Sequence, residues 1–293
     1  MKEFSVGSGY ENYETKKPFT FCDHSSIGCG GYARIAFYPK TVEGFCALIT
    51  KLKSDEIPFY TVGNMTNVLP PDGESRRVFV CTKKLKDVRL KNEFYVSAGI
   101  TSAELLRLCK TQRKTGAEFL EGIPCTVGGA VYMNAGVQGG YIGDIIDSVT
   151  LFKEGKIFTL KRKDCNFSYK HSVFMEKDAV ILGTSLRLTK ASESTIEKKL
   201  NAYRAQRAHL PKGRSMGCVF KNPEGESAGR LIDGAGLKGL RIGGAKISET
   251  HANFIINDGG ATSAQIRTLI GIVKNAVFAQ YKIRLEEEIR IFE

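Results

Sequence analysis

EGIPCTVGGAVYMNAGVQGG fills residues 121–140 of this chain, and the fold turns on how it is read. Six glycines fall within it: Gly122, Gly128, Gly129, Gly136, Gly139 and Gly140. Glycine permits positive φ and lets a second backbone or a ligand approach the main chain closely. Apolar residues stand between the glycines (Val127, Ala130, Val131 and Met133), which makes a poor flexible linker and a good tight-walled pocket. Spacing alone leaves two readings open, a ligand-binding turn or a buried glycine-rich helix start without a ligand, because glycine-rich patterns are weak by themselves.

The whole chain narrows the class. Its 293 residues correspond to about two domains by length. With 42% hydrophobic and 25% charged residues the composition is that of an ordinary soluble globular protein. No apolar run approaches the ~20 residues of a membrane span. The first residues are polar and lack an apolar signal-peptide core, so a cytoplasmic location is expected. Cys22, Cys29, Cys46, Cys81, Cys109, Cys125, Cys165 and Cys218 form no CxxC pair, and the four histidines add no zinc spacing, so no metal is expected. Most of these thiols read as small buried hydrophobes in a reducing compartment. The net charge is 43 − 31 = +12, which attracts anions. Without a nucleic-acid reader motif this implies a solvated basic surface or a diphosphate-bearing nucleotide ligand rather than nucleic acid.

Working outward, residues 1–17 read as a polar irregular arm, and 28–38 as a glycine turn leading into an alternating strand. Residues 41–52 form an amphipathic helix by the spacing of Val42, Phe45, Leu48, Ile49 and Leu52. A buried strand over 58–62 runs into Gly63-Asn64-Met65-Thr66-Asn67; a strand followed by a small-residue turn can aim backbone N–H groups at a phosphate. Strands are expected over 78–81, 94–98 and 179–188, and a hairpin over 149–160 about Lys153-Glu154-Gly155-Lys156. Ser102 is expected to cap a helix carrying Leu105, Leu106 and Leu108. A basic helix is expected over 197–210, then a loop over 212–223. Thr262 and Gln265 form a capping box that opens a long helix. The last strand, 283–292, alternates: Ile283, Leu285, Ile289 and Ile291 on one face, Glu286, Glu288 and Arg290 on the other.

The 121–140 stretch closely resembles the flavin-binding segment of the UDP-N-acetylenolpyruvoylglucosamine reductase family, G-I-P-G-T-V-G-G-A-V-x-M-N-A-G, with Cys125 at one glycine position. The likeness extends over residues 28–291. Ser215-Met216-Gly217-Cys218-Val219-Phe220-Lys221-Asn222-Pro223 resembles the family's S-A-G-S-x-F-K-N-P, with Cys218 where the family has its proton-donating serine. A thiol, with an ordinary pKa of ~8.5, can also give a proton. Leu285 to Arg290 resembles L-E-P-E-V-R and sets Glu288 at the catalytic glutamate; Tyr169-Lys170 resembles a Tyr-Arg pair, with Lys170 for the catalytic arginine. Residues 227–257, including His251-Ala252-Asn253-Phe254, match almost throughout.

The resemblance implies an α+β protein with an FAD-binding fold of the vanillyl-alcohol-oxidase (PCMH) type and a C-terminal α+β substrate domain. Expected domains are 1–200 for FAD, in subdomains of about 18–70 and 71–200, and 201–293 for substrate. The short region between Phe174 and Leu200 suggests the family type lacking an inserted gating loop. FAD would be held by Gly63, Asn64, Thr66, Asn67, Gly122, Ile123, Pro124, Thr126, Gly128, Gly129, Ala130, Asn134 and Gly136, and the UDP-sugar by Lys221, Asn222 and Tyr169. Cys218, Glu288 and Lys170 would carry the chemistry, with NADPH as co-substrate, in a monomer of peptidoglycan precursor synthesis. Met65, Lys170 and Cys218 keep two alternatives open: a diverged FAD oxidoreductase with another substrate, and a non-catalytic nucleotide-binding paralogue.

Overall fold

The computed structural model describes residues 10–11, 13–176 and 178–293. Most of the expected N-terminal arm, residues 1–9, lies outside the described residues, and Thr15–Lys16 at its end is a strand. The chain divides into two compact units: one comprises the residues up to Lys17 with Ile35–Gly63 and Arg77–Ala205, the other Pro18–Arg34, Asn64–Arg76 and Gln206–Glu293.

The first unit contains two sheets. A four-stranded sheet runs Thr15–Lys16, Ala36–Phe37, Val78–Cys81, Phe59–Val62, its last two pairings parallel. The helix Val42–Ser54, capped by Thr41 Oγ1 on the Gly44 N–H, buries Phe45, Leu48, Ile49 and Leu52 in a core shared with Phe37 and Val80. A five-stranded antiparallel sheet runs Lys156–Lys161, Ile146–Lys153, Val180–Leu186, Phe94–Ser97, Val88–Arg89. Its hairpin turns at Glu154 and Gly155, both with positive φ (51° and 76°), a backbone that matches the strand twist. The helices Ser102–Thr111 and Val127–Met133 pack Leu105, Leu106, Val127, Ala130 and Val131 into the same core as Ile146, Val149 and Leu151.

In the second unit an antiparallel sheet runs Arg214–Cys218, Phe254–Asn257, Ala245–Ile247, Arg241–Ile242. The helix Ser263–Tyr281 opens with the expected Thr262–Gln265 capping box and buries Ile266, Leu269, Ile270, Val273 and Val277. Each such side chain contributes about 1.5–3 kcal/mol on leaving water, so this stripe rather than helix propensity holds the helix. Arg290–Ile291 pairs in parallel with Val68–Leu69.

Several expectations are corrected. The cap of Ser102–Thr111 is Thr101, not Ser102: Thr101 Oγ1 accepts from Glu104 N–H and the Glu104 carboxylate accepts from Thr101 N–H. Cys109, rather than Leu108, completes its buried face. The basic helix is Glu193–Arg207, begun by Ser192 Oγ accepting from Thr195 N–H. Residues 214–218 of the expected loop are a strand. The strand over 28–38 is two short strands, Tyr32–Ala33 and Ala36–Phe37, in different units. The segments Pro18–Arg34 and Asn64–Arg76, expected with the flavin region, are compact with Gln206–Glu293 instead. The 283–292 strand is interrupted because its partner changes. Lys221 N–H donates to Glu286 O and Glu288 N–H to Val219 O, after which Arg290 N–H donates to Asn67 O.

Candidate active site

In the first unit, the glycine-rich stretch is held down by its own main chain. Val127 N–H donates to Ile100 O at 2.7 Å and Gly128 N–H to Ala98 O at 2.9 Å, while Thr126 Oγ1 caps Gly129 N–H. Two glycines here are dictated by packing. A Cβ on Gly128 would stand 2.8 Å from Ala98 Cβ, and one on Gly63 would overlap the Thr126 hydroxyl. Gly63 thus abuts the helix cap with no room for a side chain. Gly129 differs: it is exposed, and a Cβ there would meet only Thr126 Oγ1, at 3.5 Å. Gly122 and Pro124 are also exposed. With Ile123, Ser102, Ala103, Leu106, Leu120 and Glu121 they line a cavity of about 320 Å³. Gly122 lines this cavity and Gly129 is exposed, both without a side chain, so the residues fit a cofactor that approaches the main chain closely.

Asn134 ends the helix Val127–Met133 in the left-handed region (φ 43°, ψ 55°) and is 5% exposed. Its amide is committed to protein: Nδ2 donates to Ser168 O at 2.7 Å and Oδ1 accepts from Gly143 N–H at 3.0 Å. This ties the glycine-rich stretch to a tight turn in which Ser168 and His171 exchange main-chain hydrogen bonds about Tyr169 and Lys170. Lys170 has φ 52°. The half-exposed Tyr169 ring stands edge-on to Tyr141 at 6.5 Å. Gly136 closes a small hairpin with Gly140–Tyr141, where a Cβ would overlap Gly140 O. Ala130 is fully buried.

In the second unit, Met65 is 4% exposed with φ 50°, a left-handed backbone that costs a non-glycine residue about 1–2 kcal/mol. Asn64 and Thr66 flank it, half-buried. Asn67 follows, its Nδ2 donating to Glu288 O at 3.0 Å.

Cys218 lies at a register shift in the strand Arg214–Cys218, after Gly217 with φ 77°, beside which a Cβ would meet open space. The next residues are clamped from both sides. On one side Asn253 O accepts from Val219 N–H, Asn253 Oδ1 from Phe220 N–H, and Asn253 Nδ2 donates to Phe220 O, all at 2.8–2.9 Å. On the other, Glu288 N–H donates to Val219 O at 2.8 Å. Cys218 and Glu288 are therefore brought together, one residue removed across a main-chain hydrogen bond. Lys221 Nζ stands 3.3 Å from the Glu286 carboxylate, and Asn222 Oδ1 accepts from Ala228 N–H at 3.0 Å at the start of a short helix.

Burial pushes the thiols of Cys29, Cys81 and Cys109 up to about 12 and that of Cys46 to about 11, as expected of inert core cysteines. Burial lowers the His251 pKa, helped by His209 and Lys238; its Nδ1 accepts from Asn253 N–H. The match over His251-Ala252-Asn253-Phe254 gives Asn253 no role of its own. The only signal was a polar residue inside an otherwise apolar run.

Comparison with known proteins places this geometry. The FAD binding domain family matches residues 33–161, and the C-terminal domain of UDP-N-acetylenolpyruvoylglucosamine reductase matches 208–292. The reductase of Clostridium botulinum (strain Hall) is 36% identical over 92% of this chain and 89% of its own, and that of Latilactobacillus sakei 36% over 96% and 93%. The crystal structure of the Thermus caldophilus reductase superposes with a TM-score of 0.83 at 30% identity, covering 96% of this chain and all of that one. A solvent-stable cholesterol oxidase shares the fold at a TM-score of 0.51 and 14% identity, over 64% of this chain and 40% of its own. Fold and site define a flavoprotein oxidoreductase with the α+β FAD-binding architecture of the vanillyl-alcohol-oxidase type. The chain belongs to the UDP-N-acetylenolpyruvoylglucosamine reductase family, the FAD-dependent enzymes of peptidoglycan precursor synthesis. Among the described residues no helix is long and apolar enough to cross a membrane.

Proposed function

We propose that this protein reduces UDP-N-acetylglucosamine enolpyruvate to UDP-N-acetylmuramate with NADPH, as a cytoplasmic monomer whose partners are small molecules and not nucleic acid. The observation that carries the reading is the Glu288 N–H to Val219 O hydrogen bond, which sets Glu288 one residue from Cys218, the other acid–base candidate of the second unit. FAD, held by the residues assigned below, would supply the hydride chemistry, with NADPH as the source of reducing equivalents and the enolpyruvyl methylene carbon as their destination. The adjacent substrate carbon then becomes carbanionic, as the enolate of its carboxylate. Lys170, by its charge, and Glu288, as a carboxylic acid donor, stabilise that enolate. The Cys218 thiol gives its proton to the carbon, and Lys221, Asn222 and Tyr169 orient the UDP-sugar.

For the cofactor, we assign Gly122, Ile123, Pro124, Thr126, Gly128, Gly129, Ala130 and Gly136 as the main-chain wall, with Asn134 fixing its end. Gly63, Asn64, Thr66 and the main chain of Asn67 would meet the pyrophosphate. The exposure of Gly122 and Gly129, neither of which carries a side chain, supports this assignment. The C-terminal part, from about residue 206, would carry the substrate.

An anaerobic absorbance time course tests the reading. NADPH should bleach the flavin band, and enolpyruvyl substrate should restore it. A band that bleaches and stays bleached would instead assign another substrate. Bound flavin that NADPH cannot bleach would make the protein a nucleotide-binding paralogue.

A further inference from the structure

Glu288 sits where its segment exchanges one partner strand for another. Up to Glu288 the segment pairs with residues 219–221; from Arg290 it pairs in parallel with Val68–Leu69. At such a changeover one main-chain group is liable to be left without a rung. In a regular parallel ladder, the register Arg290↔Val68 would make the main-chain N–H of Asn67 the donor to Glu288 O. Here that donor is the Asn67 side chain, Nδ2 to O at 3.0 Å, while Asn67 O accepts from Arg290 N–H at 2.9 Å. One residue thus holds both ends of the changeover. Glu288 is pinned on its N–H by Val219 O and on its C=O by Asn67 Nδ2.

We infer that Asn67 is a positioning residue for Glu288. Its side-chain amide sets the main-chain orientation from which the glutamate acts, and its side chain is not a ligand of the flavin. The inference rests on the proposed reaction. It goes beyond that reading by giving Asn67 a task in the step where the substrate enolate is stabilised, separate from flavin reduction. A carbonyl that loses its donor at a strand changeover loosens the main-chain orientation of Glu288, and a shift of about 1 Å can cost 10²-fold in rate.

The test separates the two half-reactions in the flavin-loaded protein by stopped-flow absorbance. Asn67→Asp is isosteric and removes the donor. It should slow reoxidation of the reduced flavin by enolpyruvyl substrate by about tenfold or more, a larger factor than any accompanying fall in flavin content or in reduction by NADPH. Combined with Glu288→Gln it should add no further loss, because the two residues act as one unit. Relative to wild type, the Asn67→Asp deficit should shrink as pH falls through the carboxyl range, where the protonated acid regains an O–H donor. Asn67→Ser, with a shorter donor, gives the same ordering if the aspartate variant folds poorly. Losses that multiply in the double variant overturn the assignment, as does a parallel fall in flavin content and reductive rate. A wild-type protein whose reduced flavin the substrate does not reoxidise overturns the proposed reaction and this role with it.

Discussion

Gly63 lies so close to Thr126 that a Cβ on the glycine would overlap the threonine hydroxyl, and that same hydroxyl caps the helix Val127–Met133. Gly63→Ala should therefore displace the cap, costing about 1–3 kcal/mol of overpacking and reducing flavin occupancy. Thr126→Ala alone should cost about 1 kcal/mol for the lost cap. In the Thr126→Ala background, Gly63→Ala should be milder, since the obstructing oxygen is gone. Thermal unfolding of the four proteins checks this; strict additivity would mean that the two residues do not meet.

Cys218→Ser restores the family's usual proton donor and should retain turnover. Cys218→Ala should lose ~10²-fold or more in kcat. Equal rates in all three proteins would remove the thiol from the mechanism.

Lys170 supplies a charge but not the bidentate fork of an arginine. Lys170→Arg should keep or raise kcat for the enolpyruvyl substrate, whereas Lys170→Ala should lower it by roughly 10²-fold. Flavin reduction by NADPH should be nearly unaffected by either. A rate unchanged in Lys170→Ala would exclude the residue from the second half-reaction.

Met65 poses two opposed terms. Met65→Gly relieves about 1–2 kcal/mol of left-handed backbone strain, but it empties a side-chain site only 4% exposed. Truncating a buried methionine costs about 2–5 kcal/mol, so burial wins and the midpoint of thermal unfolding should fall. A rise would show that strain dominates.

His251 gives a pH dependence whose sign follows from its half-buried imidazole, whose pKa burial lowers. Its folded pKa lies below the ordinary value, so the unfolded chain binds the proton more readily. Stability from this group is full above pH ~6.5 and is lost as pH falls towards the folded pKa. Carboxylates held low by cationic partners, such as Glu197 beside Lys110 and Arg204 or Asp258 beside Arg241, lose their contribution only at lower pH, below the ordinary carboxyl value. His251→Gln should flatten the upper part of the profile and leave the acid limb unchanged. Unfolding midpoints measured from pH 8 to 4 decide it.

The sequence made legible whatever depends on local periodicity or a motif. The apolar stripes of Val42–Ser54 and Ser263–Tyr281, the Glu154-Gly155 hairpin and the Thr262–Gln265 box fall where their residues require. What failed was choice of partner. Ser102 was a plausible cap, but Thr101 sits at the right distance from Glu104 to form the reciprocal box. Alternation over 283–292 picked out Leu285 and Ile289, which are buried, and Ile283 and Ile291, which are partly so, but not that the segment leaves Val219 for Asn67 midway. Motifs singled out Cys218 and Glu288, which the Glu288 N–H to Val219 O hydrogen bond sets one residue apart. Asn253 was not legible, because the three hydrogen bonds by which it clamps Val219 and Phe220 reach residues some 33 positions earlier. Nor was the internal engagement of the Asn134 amide, because a side chain committed to protein and one offered to a ligand look alike in sequence.

The chain passes between its two compact units at Lys17, Arg34, Gly63, Arg76 and Ala205. During synthesis, every segment of the first unit has been made once Ala205 has left the ribosome. The second must wait longer. Val68–Leu69 cannot find its parallel partner until Arg290–Ile291 has emerged, more than two hundred residues later. Until then Asn67 has no Glu288 to hold. Nascent chains stalled shortly before residue 290 should therefore resist protease over the first unit's segments while 64–76 stays cleavable, and Glu288 is secured by the last rung to close.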